Sequence, residues 1–230
     1  MMNKMMKTAC ALAVLAASAN VMAESVELKL IGTISPPSCK PTLSGSGGID
    51  YGSILSDSLN PTGYTQLADK ETTLSIVCDA PAKVAIQAVS GRKDSTVSDG
   101  AEGASGAAAP VSAVGLPAGF GVVGLGMVGE TKVGAYGVAI SDVTLDSTAA
   151  KAIQSDDKQS WNDSNASSLY KADGSTSYLS WSDAGDVAPA AFETMNAKLT
   201  VKTYLNKTSD LDLSKPVQLD GLTTIELVYL

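Results

Sequence analysis

The stretch Gly221-Leu222-Thr223-Thr224-Ile225-Glu226-Leu227-Val228-Tyr229-Leu230 repeats its apolar side chains at every second position up to the terminal carboxylate. A period of two is that of a half-buried β-strand. Terminal residues ordinarily fray in water. An aromatic one place from the end, in register with Ile225 and Leu227, therefore requires something to cover this strand to its tip. Thr223, Ile225, Leu227 and Tyr229 share the face to be covered.

The same period recurs along the chain. Val26, Leu28 and Leu30 alternate with Ser25, Glu27 and Lys29, and Gly32 and Ile34 lead into a turn at Pro36-Pro37-Ser38-Cys39. Thr72 to Cys78 places Leu74, Ile76 and Cys78 on one face, Ala82 to Val89 does so with Val84, Ile86 and Ala88, and Asn196 to Leu205 with Ala197, Leu199, Val201 and Thr203. Gly115 to Ile140 predicts two close-packed strands around a turn at Gly129-Glu130, with Val143 to Leu145 extending the second. Asp50 to Leu55 is a further short strand. No amphipathic helix and no internal repeat is found, so the predicted fold class is all-β, a sandwich in preference to a barrel. Two stretches interrupt the pattern. About 92–114 collapses into Ser, Gly, Ala and acidic residues and predicts a mobile loop. About 146–190 is a polar insertion that nonetheless holds Trp161, Tyr170, Tyr178 and Trp181.

The first residues predict where this happens. Lys4 and Lys7 precede an apolar run from Ala9 to Ala19, and Val21-Met22-Ala23 suits a signal peptidase, so residues 1–23 read as a signal peptide and 24–230 as one mature domain. The run is too short to span a bilayer and no second one follows, which predicts no membrane span after cleavage. The formal charge of −8 becomes −10 when Lys4 and Lys7 leave. Such an acidic chain lacks the basic stripe that would displace counterions from phosphates, which argues against a nucleic-acid partner. Cys10 also leaves, so Cys39 and Cys78 remain alone in an oxidising compartment, where a disulfide is the default. Closing a loop of about 40 residues stabilises by roughly 4 kcal/mol in the chain-entropy model.

The chain contains no histidine. That removes Ser–His and Cys–His nucleophilic chemistry and leaves the cysteines without the further ligands a zinc site needs. Gly119-Phe120-Gly121-Val122-Val123-Gly124 matches a dinucleotide-binding spacing, but more Gly and Val follow it instead of a helix that could receive a pyrophosphate. The dispersed carboxylates show no acid and base spacing. No catalytic residue, cofactor or metal is predicted, and the chain reads as a non-enzyme. The four aromatics of the polar insertion have two readings: packing in a satellite core, or rings that stack on the sugars of a host glycan among Asn, Asp and Ser.

Gly32 seven residues before Cys39, a second cysteine at Cys78, and a closing strand with Ile225, Leu227 and Tyr229 resemble a chaperone–usher fimbrial subunit. Phe120 to Tyr136 and Leu219 to Leu230 are similar to a little-characterised group of fimbrial-like periplasmic proteins carrying a domain of unknown function. The resemblance implies an immunoglobulin-like, pilin-type sandwich lacking one strand. In such a protein the strand carrying Thr223, Ile225, Leu227, Tyr229 and Leu230 borders a groove. A periplasmic chaperone binds it first, and a neighbouring subunit later fills it by β-strand addition at an outer-membrane usher. Val26, Leu28, Leu30 and Gly32 are then either a donor segment or a first strand. The implied function is a structural or minor subunit of a surface fimbria, exported to the periplasm and then the cell surface. A carbohydrate-binding adhesin-like module and a soluble fimbrial-like periplasmic protein are the alternatives.

Overall fold

The computed structural model describes residues 25–110, 113, 116, 120–164, 168–183 and 185–230. The expected signal peptide, 1–23, lies outside the described residues, as do several positions within the expected 92–114 loop. The chain divides into two units between Ser35 and Pro36. In the first, the described residues 25–35 form no strand, and Val26, Leu28, Leu30 and Ile34 are between 86% and 102% exposed. A first strand over Val26 to Leu30 is thus corrected. Strand hydrogen bonds are made to a neighbour, and no strand pairs with this segment among the described residues.

The second unit contains, in order, β1 (Cys39–Leu43), β2 (Thr65–Gln66), β3 (Lys70–Ala82), β4 (Val84–Ser90), β5 (Ala107–Ala108), β6 (Gly121–Gly124), β7 (Met127–Val128), β8 (Thr131–Lys132), β9 (Gly134–Leu145), β10 (Thr148–Ala149), β11 (Lys151–Ser155), β12 (Asn162–Asp163), β13 (Tyr178–Ser182), β14 (Phe192–Leu205) and β15 (Thr223–Tyr229). One sheet runs β1-β3-β14-β9-β6-β5, with β10 on β9 and β2 on β14; a second runs β12-β11-β13-β4-β15. Between these strands every pairing is antiparallel. The strand expected over Asp50 to Leu55 does not form, and a single 3-10 turn at Ser56–Ser58 follows it.

The core lies between the sheets because the alternation works as expected. Leu74, Ile76 and Cys78 from β3, and Met195, Ala197 and Leu199 from β14, meet Val84, Ile86 and Ala88 from β4 in one buried cluster. Trp181 of β13 packs edge-to-face on Phe192 of β14 across the sandwich, ring centroids 5.9 Å apart. The Cys39–Cys78 disulfide is formed and joins β1 to β3 in direct register. The tight turn at Gly129-Glu130 forms as expected, linking β7 to β8.

One expectation is corrected by packing that small residues permit, and a second in part. Within 92–114, Ser95, Thr96, Val97, Ser105 and Ala107 are buried, and β5 pairs with β6. Tyr204 donates its hydroxyl hydrogen to the Val97 carbonyl, and Lys132 reaches the Thr96 carbonyl at 2.9 Å. Backbone lies against backbone here: a Cβ on Gly103 would stand 2.3 Å from the Gly174 carbonyl oxygen. This stretch gains its order from close approach and hydrogen bonds in place of apolar side chains. The polar insertion 146–190 contributes four short strands, β10 to β13, with turns and connections making up the rest of its described residues. No helix among the described residues is long and apolar enough to cross a membrane.

Candidate functional site

In an immunoglobulin-type sandwich one sheet orders its strands A-B-E-D and the other C-F-G. Here β1-β3-β14-β9 reproduces A-B-E-D, and β4 and β15 occupy the places of C and F. Among the described residues nothing pairs with the far side of β15, where G would lie.

The phase of the β4–β15 ladder says which backbone groups are left over. Gly91 N–H donates to the Leu222 carbonyl at 2.8 Å, and Leu230 N–H donates to the Lys83 carbonyl at 3.1 Å. Between those ends the register runs unbroken from Thr223 opposite Ser90 to Tyr229 opposite Val84. Opposed residues in an antiparallel ladder alternate between bonded and non-bonded pairs. Leu222, Thr224, Glu226, Val228 and Leu230 therefore bond to the β4 side, and the N–H and C=O groups of Thr223, Ile225, Leu227 and Tyr229 face the free edge. These are also the residues whose side chains turn inward. Ile225 and Leu227 pack against the core, and Thr223 is half-buried.

Beneath the free edge an open cleft of about 350 Å³ enters the sandwich, lined by Leu43, Val138, Leu199, Val201, Thr223 and Ile225, among others. Thr223 and Ile225 line this cleft, while Leu227 packs on the core beside it. Tyr229 is 50% exposed, and its hydroxyl oxygen accepts the Cys39 N–H at 2.7 Å, so it bridges from the second sheet to the disulfide end of β1. Leu230 is 44% exposed.

The start of β15 is held by polar groups. The Thr223 hydroxyl lies 2.6 Å from the Tyr136 hydroxyl and accepts the Tyr170 O–H at 2.9 Å. Burial pushes both phenols up from their ordinary range, and the bonds to Thr223 pull back less than burial raises. Just before the strand, Arg92 grips Asp220 with Nε to Oδ2 at 2.8 Å and a terminal nitrogen to Oδ1 at 2.5 Å. That pair holds the Asp220 carboxyl below its usual range.

Other edges of the two sheets are guarded. β1 carries Lys40 and Pro41, and Pro cannot donate to a new ladder. β5 and β12 are two residues long, and β12 ends in Asp163. β15 is seven residues with no proline and one charge, Glu226. It is the long unguarded edge among the described residues.

The remaining expected site residues fall apart. Val26, Leu28, Leu30 and Gly32 belong to the first unit. Trp181 and Tyr170 are fully buried, so for these two the sugar-stacking expectation is corrected in favour of packing. Trp161 and Tyr178 are half-buried and lie near one edge of the second sheet. Sequence reasoning missed Tyr136, Arg92 and Asp220, whose partners are up to 128 residues away. Lys40-Pro41 inside a short strand was the available sign of a guarded edge.

A family described as "Protein of unknown function (DUF1120)" matches residues 28–137. Protein GltF of Escherichia coli (strain K12) is 27% identical over 227 residues, covering 89% of this chain and 88% of that protein. The uncharacterized protein YhcF of the same organism is 26% identical over 222 residues, covering 90% and 92%. No solved structure matches significantly. The family match spans β1 to the start of β9 and leaves β14 and β15 outside it.

Proposed function

We propose that this chain is a structural or minor subunit of a surface fimbria, exported to the periplasm, held there by a chaperone, and assembled by β-strand addition to β15. One observation carries this: β15 is a seven-residue unguarded edge with four outward backbone positions, two of which, Thr223 and Ile225, line an open apolar cleft. An added strand would pair with Thr223, Ile225, Leu227 and Tyr229 while its alternate side chains enter the cleft. Three or four apolar side chains at about 1.5–3 kcal/mol each would contribute roughly 5–12 kcal/mol. That is comparable to the whole stability of a domain. A partner able to supply it would decide whether the subunit persists.

The exposed alternation of Val26, Leu28 and Leu30, unpaired in its own unit, supports a donor role toward a neighbouring subunit. A role without enzymatic activity accords with a chain that has no histidine. The test is to express residues 24–230 in a periplasm with and without the chaperone of a chaperone–usher system from the same source. Recovery that depends on the chaperone, and multimers that survive SDS until heated, are expected. A chain recovered equally well alone, as a monomer that takes up no strand, would overturn the proposal.

A further inference from the structure

The cleft beneath β15 is apolar along most of its length and polar at one end. On the inner face of the first sheet Val138 stands directly opposite Val201, and Tyr136 directly opposite Thr203. Leu43, Leu199 and Ile225 continue the apolar part, while Tyr51, Tyr136, Thr203 and Thr223 line the cleft as well. Thr223 is the first residue of β15, so the hydroxyls gather where the free edge begins. Tyr170, fully buried, reaches the same group through its own hydroxyl.

The protons of this group outnumber its bonds. Tyr51 donates to the Thr203 hydroxyl at 3.0 Å, Tyr170 donates to the Thr223 hydroxyl at 2.9 Å, and Tyr136 and Thr223 share one bond at 2.6 Å. Each hydroxyl has a single proton to donate. Thr203, having accepted from Tyr51, finds no acceptor for its own proton among the described residues. Whichever of Tyr136 and Thr223 accepts in their shared bond is left in the same position. Thr203 and Tyr136 are buried, at 2% and 7% exposure. While the cleft is open, water reaches its polar end. A strand laid along β15 expels that water, and a buried donor without an acceptor costs more than a typical hydrogen bond contributes. A wholly apolar strand therefore closes poorly over this end.

We infer that the strand completing β15 carries an oxygen acceptor, the side chain of Asn or Asp, beside Thr223, and so comes from a subunit unlike this one. The inference rests on the strand-addition reading and specifies its partner. Neighbouring strands place opposed Cβ atoms about 4.5–5.5 Å apart, within reach of a short side-chain carbonyl. One such oxygen has two lone pairs, enough for both unplaced protons. The alternating segment of this chain presents Val26, Leu28, Leu30, Gly32 and Ile34 on one face, none of which offers an acceptor. That segment suits a groove that is apolar throughout, in a different neighbour.

The probe is a fluorescein-labelled peptide of residues 25–37, added to the mature chain and followed by fluorescence anisotropy. Beside the parent peptide stand single replacements of Val26, Leu28, Leu30, Gly32 and Ile34 by Asn, and the same set by Asp, which separates a neutral acceptor from a charged one. The replacement that falls beside Thr223 should raise affinity at least about tenfold over the parent, and the others should lower it. A chain carrying Tyr51→Phe, Tyr136→Phe, Tyr170→Phe, Thr203→Val and Thr223→Val loses all five hydroxyls at nearly constant shape, and should prefer the parent peptide. The peptide series on the unaltered chain reports even where that variant fails to fold. A parent peptide bound as tightly as every replacement, or a preference for Asn or Asp that survives loss of the hydroxyls, would overturn the inference and leave strand addition standing. A chain that takes up no peptide at all would overturn both.

Discussion

Proline placed on β15 distinguishes its two backbone sides without any partner protein. At Glu226 the N–H belongs to the ladder with β4, so Glu226→Pro removes a hydrogen bond from the middle of the strand. Proline in the middle of a sheet removes a ladder hydrogen bond and leaves its acceptor unpaired, which costs up to about 3 kcal/mol. At Leu227 the N–H faces the free edge, where proline is tolerated. Leu227→Pro then loses chiefly the partly buried leucine side chain, about 1–2 kcal/mol, a loss that Leu227→Ala reproduces. Referred to the alanine variant at each position, proline should cost up to about 3 kcal/mol at 226 and under about 1 kcal/mol at 227. A difference of about 2 kcal/mol is roughly thirtyfold in the folding equilibrium, well resolved by urea denaturation followed by circular dichroism. Strand addition should show the reverse order, because Leu227→Pro removes a donor that the incoming strand needs. Equal penalties at 226 and 227 would show that the outer side of β15 is already bonded, and the free edge would be refuted.

Thr223→Val should leave the buried Tyr136 and Tyr170 hydroxyls without this partner and cost about 2–4 kcal/mol, whereas Tyr170→Phe should cost about 0.5–1.5 kcal/mol; chemical denaturation of both variants checks the ranking. The Asp157 carboxyl is held down to about 2, below the ordinary aspartate range, by the Ser160 and Gln159 amides. A depressed carboxylate supports the fold fully above its unfolded value and loses that support as pH falls, so loop 156–160 should stay ordered at pH 4 and loosen towards pH 2, as read from Asp157 and Ser160 chemical shifts. Replacing Cys39 and Cys78 by serine should lower stability by up to roughly 4 kcal/mol, and unreduced peptide mass spectrometry of the parent should recover one linked 39–78 pair.

Alternation alone made β3, β4, β14 and β15 legible, because each turns a regular apolar face to the core, even though Ala85 on the other face of β4 is buried as well. Leu74, Ile76 and Cys78 are inward as the period demands. Hydropathy carries no signal where burial is achieved without apolar side chains. Ser155, Ser180 and Ser182 are buried in β11 and β13, and in sequence they resemble a solvated loop. Ser180 compensates by donating to the Val84 carbonyl, a bond that no local pattern announces. The 95–108 stretch was lost for the same reason, since glycine against glycine carries no hydropathy signal. The opposite error arose at Val26 to Leu30, where a good strand pattern found no ladder. Of the candidate site, the inward residues of β15 were legible, but the Thr223 hydroxyl node joins positions 53 and 87 residues apart and could be seen only in three dimensions.

The β4–β15 pairing also has a consequence in time. A ribosome finishes β4 roughly 130–145 residues before it finishes the strand that pairs with it, and contacts so distant in sequence form slowly. Throughout that interval β4 offers its own unpaired edge, with Val84, Ile86 and Ala88 awaiting cover. When β15 arrives it satisfies β4 and presents a new open edge in its place. The nascent chain therefore carries an unsatisfied edge from early synthesis to the end, and its hazard is misassociation during folding more than unfolding afterwards.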